Sequence, residues 1–170
     1  ERWLYVDGTT VMDGAFSVNA NSSSSMVYAG GVAGSTNVSF SVSIEDYLNT
    51  AAVSSSKCAG GLIGRAANSG VNNQITVKNS ANGGALTGTT VGGLIGQLDA
   101  SNSKVTFEDA LYVKTSSVTK AVGNQNNDAV GIIALNADTI TNGIFSGTLT
   151  GVLSANAPAV LTVSDNVKLD

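Results

Sequence analysis

A short glycine-framed apolar motif returns four times along the chain. It reads Tyr28-Ala-Gly-Gly-Val-Ala-Gly34, Cys58-Ala-Gly-Gly-Leu-Ile-Gly64, Thr90-Val-Gly-Gly-Leu-Ile-Gly96 and, in a drifted form, Asp128-Ala-Val-Gly-Ile-Ile-Ala134. Aligned on Gly31, Gly61, Gly93 and Gly131, the copies lie 30, 32 and 38 residues apart. A unit of that length with short strands cannot bury its apolar face alone, so the units must stack on one another. The expected fold is all-β: a parallel β-helix or β-solenoid of about four to five coils with ~30-residue repeats. Taken as one segment of a longer chain, residues 1–170 divide into repeats near 1–27 (partial), 28–57, 58–89, 90–127 and 128–170.

Stacking predicts columns of like residues. Val32, Leu62, Leu94 and Ile132 form one expected column, with Gly34, Gly64 and Gly96 closing the motif beside it. Ile75, Phe107 and Phe145 each follow an aligned glycine by 14 residues and form a second. They sit in runs such as Gln74–Lys78 and Lys104–Glu108, which alternate polar and apolar residues as half-buried strands do. Gly84-Ala-Leu-Thr-Gly88 and Gly147-Thr-Leu-Thr-Gly151 look like a third recurring element. Asn- and Gly-rich stretches between the runs read as turns. Residues 44–53 are the one candidate for a helical or looped excursion, and 112–128 for an insertion folded over an outer face. The adjacent apolar pairs Leu62-Ile63 and Leu94-Ile95 require either a strand covered on both faces or a bend.

The composition agrees with thin regular layers. Apolar residues make up 42% of the chain but aromatics only 5%, with one proline and 12% charged residues. Eight scattered Lys and Arg against a net charge of −4 leave no basic patch for a nucleic-acid partner. No apolar run approaches the ~20 residues of a membrane-spanning helix, so no membrane insertion is expected.

Chemistry-bearing patterns are few. Without histidine the usual serine triad has no base, and the lone Cys58 has no activator stronger than Lys57. Ser55-Ser-Lys57 and Ser101-Asn-Ser-Lys104 leave a Ser-Lys dyad open but read as loops. The acid pairs Glu45-Asp46 and Glu108-Asp109 fall on opposite strand faces within each pair, and their coils are not adjacent. Asn124-Gln-Asn-Asn-Asp128 offers oxygen ligands without a calcium-loop spacing and reads as a polar turn. The Asn21 and Asn37 sequons are as frequent as chance allows. The expectation is a non-enzyme with no cofactor and no metal. Trp3, Tyr5, Tyr47 and Tyr112 are the candidate ligand contacts, since aromatic rings stack on sugars and anchor protein interfaces.

The motif and its surroundings resemble the GLUG-motif repeats of bacterial surface proteins. Ile75 to Gly96, Ile-Thr-Val-Lys-Asn-Ser-Ala-Asn-Gly-Gly-Ala-Leu-Thr-Gly-Thr-Thr-Val-Gly-Gly-Leu-Ile-Gly, follows that pattern, and Ile140 to Gly151 follows its first half. The Cys-Tyr that usually follows the Asn is missing. The likeness spans about residues 28–151 and implies a secreted or wall-attached protein with a structural or adhesive role. Its partners would be host or matrix glycans or proteins and flanking domains of the same chain. A polysaccharide-acting β-helix enzyme and a filament subunit that associates end to end are the competing expectations.

Overall fold

The computed structural model describes residues 17–36, 41–67, 74–99, 104–141, 144–154 and 157–168, with side chains described for 18–36, 41–67, 74–99 and 104–136. Every regular element among them is a β-strand. A first set comprises β1 (Ser17–Ala20), β2 (Tyr28–Gly30), β3 (Ala33–Thr36), β4 (Val42–Glu45) and β5 (Leu48–Asn49). The second holds β6 (Ala52–Ser55), β7 (Cys58–Gly60), β8 (Ile63–Ala66), β9 (Gln74–Lys78) and β10 (Ala81–Asn82). The third holds β11 (Leu86–Thr87), β12 (Thr90–Gly92), β13 (Ile95–Leu98), β14 (Lys104–Glu108) and β15 (Ala110–Lys114). Each strand pairs in parallel with the strand five places on, giving the orders β1-β6-β11, β2-β7-β12, β3-β8-β13, β4-β9-β14 and β5-β10-β15. The chain is thus all-β, with parallel sheets of short strands. Residues 44–53 hold the end of β4, β5 and the start of β6, and no helix.

The core follows from the register. Val18, Val53 and Leu86 stack inward in one sheet. Val42, Ile75 and Val105 do so in another, beside Ile44, Val77 and Phe107. Phe107 therefore lies over Val77 and not over Ile75 as expected, because the connection between β13 and β14 is two residues shorter than that between β8 and β9. A two-residue slip leaves the inward-facing set unchanged, since side chains alternate with period 2. Val32, Leu62 and Leu94 stack as expected, through Val32 N–H to Leu62 O and Leu62 N–H to Leu94 O, both 2.9 Å. The bend between β7 and β8 turns Leu62 and Ile63 both inward, and neither is exposed.

The double glycine has a steric cause. A Cβ on Gly31 would sit 2.7 Å from Asn49 Cγ, one on Gly61 2.5 Å from Asn82 Cβ, and one on Gly93 2.6 Å from Tyr112 Cβ. Asn49, Asn82 and Tyr112 are themselves one column, reaching across the interior onto the glycine column opposite. Asn49 Nδ2 donates to Asn82 Oδ1 at 2.7 Å, so two buried amides satisfy each other where water has no access. Gly34, Gly64, Gly96 and Gly123 form a second glycine column, each later member lying against the carbonyl of the one before.

The fourth copy departs from expectation. Leu94 N–H donates to Ala121 O at 2.9 Å, and Ile95 bridges Val122, so Lys120-Ala-Val-Gly123 takes the place assigned to residues 131–134. Ile132 pairs with Ala110 instead, at the start of β16 (Ile132–Thr141). Gly131 stands at a corner with φ +85°, in line with Asp46, Asn79 and Asp109 at φ 52°, 43° and 50°. All four are residue types that tolerate this left-handed backbone. After β16 the pairing turns antiparallel, through β17 (Ile144–Ser154) and β18 (Ala157–Lys168). Phe145 pairs with Ile140 and Val167 there, outside the column expected for it. Gly147–Gly151 lies in the same antiparallel β17, so it is not the counterpart of Gly84–Gly88.

Candidate functional site

The sheet β4-β9-β14 turns one face outward, and three columns cross it, the first running through Gln74 and Lys104. Ser43, Thr76 and Thr106 form the middle column. Beside it, Glu45, Lys78 and Glu108 alternate in charge. Lys78 Nζ lies 3.0 Å from Glu108 Oε1, and Ser43 donates to Glu45 Oε1 at 2.7 Å. The hydrogen bond and charge of Glu108 hold the Lys78 ammonium above its ordinary pKa. At the adjoining corner, Asn79 Nδ2 donates to Asp46 Oδ1 at 2.6 Å. The acids of the first and third sets are thus separated by Lys78 and Asn79, and neither Glu45 with Glu108 nor Asp46 with Asp109 forms a direct pair.

A second polar cluster joins all three sets where β7 turns into β8. Arg65, on β8, stacks over the Tyr28 ring of the first set at 5.2 Å and forms an ion pair with Asp99 of the third. Gln97 donates through Nε2 to Asp99 Oδ1 at 3.2 Å, and its Oε1 accepts from Cys58 Sγ at 3.2 Å. Asp99 raises the Arg65 pKa further. Burial raises the Cys58 pKa, which favours the thiol form that donates to Gln97. Sequence reasoning missed Tyr28 and Arg65 as surface features. Their separation along the chain hides a contact that only parallel register creates.

The candidate aromatic contacts separate. Tyr47 and Tyr112 are only 4% and 0% exposed, so they are core residues and present no ring to a ligand. Trp3 and Tyr5 lie outside the described residues. Among the residues whose side chains are described, Tyr28 is the aromatic one that reaches the surface. The other candidates are committed to their own chain. Ser55 is buried, donates to Val27 O at 3.1 Å and accepts from Lys57 N–H at 3.1 Å. Asp128 accepts from Tyr112 Oη at 2.7 Å and from Ala121 N–H at 2.8 Å. Asn124 pairs with both backbone groups of Leu98. Among the described residues no three His, Cys, Asp or Glu side chains gather as metal ligands, and no helix is long and apolar enough to cross a membrane.

No family, no curated protein and no solved structure matches the chain. The arrangement itself offers a regular polar face, a guanidinium stacked on a phenol ring, and two ion pairs, Lys78 with Glu108 and Arg65 with Asp99.

Proposed function

We propose that this chain is a non-catalytic segment of a β-solenoid, belonging to a secreted or cell-surface bacterial protein with GLUG-like repeats, and that it serves as a stalk or adhesive surface. One observation carries the reading: three successive five-strand sets pair in parallel, with Tyr28, Cys58 and Thr90 in one row and Glu45, Lys78 and Glu108 in another. Such stacking yields a stiff body whose length grows with repeat number, the property a stalk needs. The outward rows repeat at the strand spacing, about 4.8 Å, and suit an extended partner, a host or matrix glycan or protein. The Tyr28–Arg65 stack is the patch best fitted to anchor it, because tyrosine and arginine are enriched among the few residues that carry most of the binding energy at interfaces.

Two measurements test this. Antibody raised against the chain is expected to label intact cells of the producing organism; labelling only after lysis would count against a surface location. On glycan and matrix-protein arrays, the chain is expected to bind a partner that a Tyr28→Ala/Arg65→Ala variant binds at least tenfold more weakly, about 1.4 kcal/mol. An array with no partner at all would remove the adhesive role.

A further inference from the structure

We infer that residues 115–131 form an end cap that stops lengthwise addition of a further strand set, and that the occupant it excludes is a second copy of this chain. In the third set β15 is followed by β16, whereas β12 and β13 are the last strands of their sheets, and a strand edge in that position templates further pairing unless it is covered. The segment meets this edge from Gly93, just past β12, to Leu98 at the end of β13. Gly93 N–H donates to Lys120 O at 2.8 Å, and Leu94 and Ile95 N–H both donate to Ala121 O at 2.9 Å. Asn124 supplies a side-chain amide in place of a strand: its Oδ1 accepts from Leu98 N–H at 2.9 Å and its Nδ2 donates to Leu98 O at 2.8 Å. Val118, Ala121 and Val122 are buried and join the core cluster.

The cap also seals its own outer edge. Ala121 N–H is taken by Asp128 Oδ1, and Val122 O by Gln125 N–H at 3.1 Å. Asp128 is in turn fixed by Tyr112, which stands where the two earlier sets carry Asn49 and Asn82. A tyrosine there ends the amide ladder and reaches the cap. The excluded partner follows from the sequence: Gly60–Gly64 and Gly92–Gly96 are both Gly-Gly-Leu-Ile-Gly, so the edge beneath the cap repeats the template on which β12 and β13 already pair. These backbone and side-chain hydrogen bonds hold whether or not the chain serves as an adhesive surface.

The test compares the whole chain with an Asn124→Ala/Asp128→Ala variant, by amide hydrogen exchange and by sedimentation velocity over a concentration series. The expected result is exchange at Leu98 and Ala121 faster by about tenfold or more, unchanged exchange in β9, and association that grows with concentration. A variant that opens at Leu98 yet sediments like the parent overturns the proposal, as does one whose exchange does not change. If the double variant loses its β-sheet circular dichroism, Tyr112→Phe removes only the O–H that fixes Asp128, and is read by exchange at Ala121 and by sedimentation: faster exchange with association supports the cap, and faster exchange without association, or unchanged exchange, overturns it.

Discussion

At the scale of single residues, this protein is governed by what fits between two closely spaced walls. Gly31, Gly61 and Gly93 are glycines because Asn49, Asn82 and Tyr112 occupy the space a side chain would need. Gly34 meets a looser limit, its nearest neighbour being Tyr28 O at 3.1 Å from an added Cβ. Gly61→Ala is therefore expected to cost about 3 kcal/mol, because it presses on the buried Asn82 and on backbone that cannot move aside. Gly34→Ala should cost well under half as much. Urea denaturation midpoints of the two variants check this, and equal losses would show that the interior is wider than described. The corner residues Asp46, Asn79, Asp109 and Gly131 obey a different demand, a left-handed backbone, met by three residue types without any shared motif.

At the scale of elements, β15 differs from its counterparts β5 and β10. It runs five residues against two, and it carries Tyr112 in place of asparagine. Burial, with the Asp128 hydrogen bond second, raises the Tyr112 pKa well above the ordinary value, and burial raises that of Tyr47 on the corner before β5. For groups raised in this way, the stabilisation is complete below the unfolded pKa, about 10 for tyrosine, and is lost as pH rises past it. The unfolded chain then releases protons that the folded chain retains. Buried Cys58 adds a smaller loss of the same sign that begins at lower pH. Thermal unfolding is expected to shift to steeply lower temperature above about pH 10, and Tyr112→Phe should flatten that fall. A midpoint that stays level from neutrality to pH 11 would contradict the burial of these phenols.

At the scale of the whole molecule, the sets behave as interchangeable layers. Thr90 N–H donates to Lys57 O at 2.8 Å, so Thr90 already lies beside the start of the layer below, in register with Cys58. Excision of residues 58–89 joins Lys57 to Thr90 and removes one complete set. The shortened chain is expected to fold, to unfold cooperatively and to have a lower midpoint, because one layer of core and, net, one interface between layers are lost. Excision of half a set should abolish folding, since every later strand would meet the wrong partner. Circular dichroism melts of the two deletions separate these outcomes. If the full-set deletion were as disordered as the half-set one, the layers would not be equivalent.

The sequence alone carried the all-β class, the parallel pairing of GGLIG copies and the Val32, Leu62, Leu94 column, because close copies at even spacing leave stacking as the way to bury them. It did not carry the two-residue slip that sets Phe107 over Val77, since that depends on loop length and period-2 alternation hides it. Nor did it reveal that Lys120–Gly123, and not residues 131–134, continues the column of glycine motifs, while Ile132–Ala134 pairs with β15 instead: the resemblance of Val130-Gly-Ile-Ile133 to the motif is local, whereas edge hydrogen bonds are satisfied by whichever segment reaches them. The aromatic candidates Tyr47 and Tyr112 failed as surface contacts for the same reason, burial being a property of neighbours from other layers. The Tyr28, Arg65 and Asp99 cluster exists only in tertiary structure, because parallel register brings together side chains that the chain itself keeps a full layer apart.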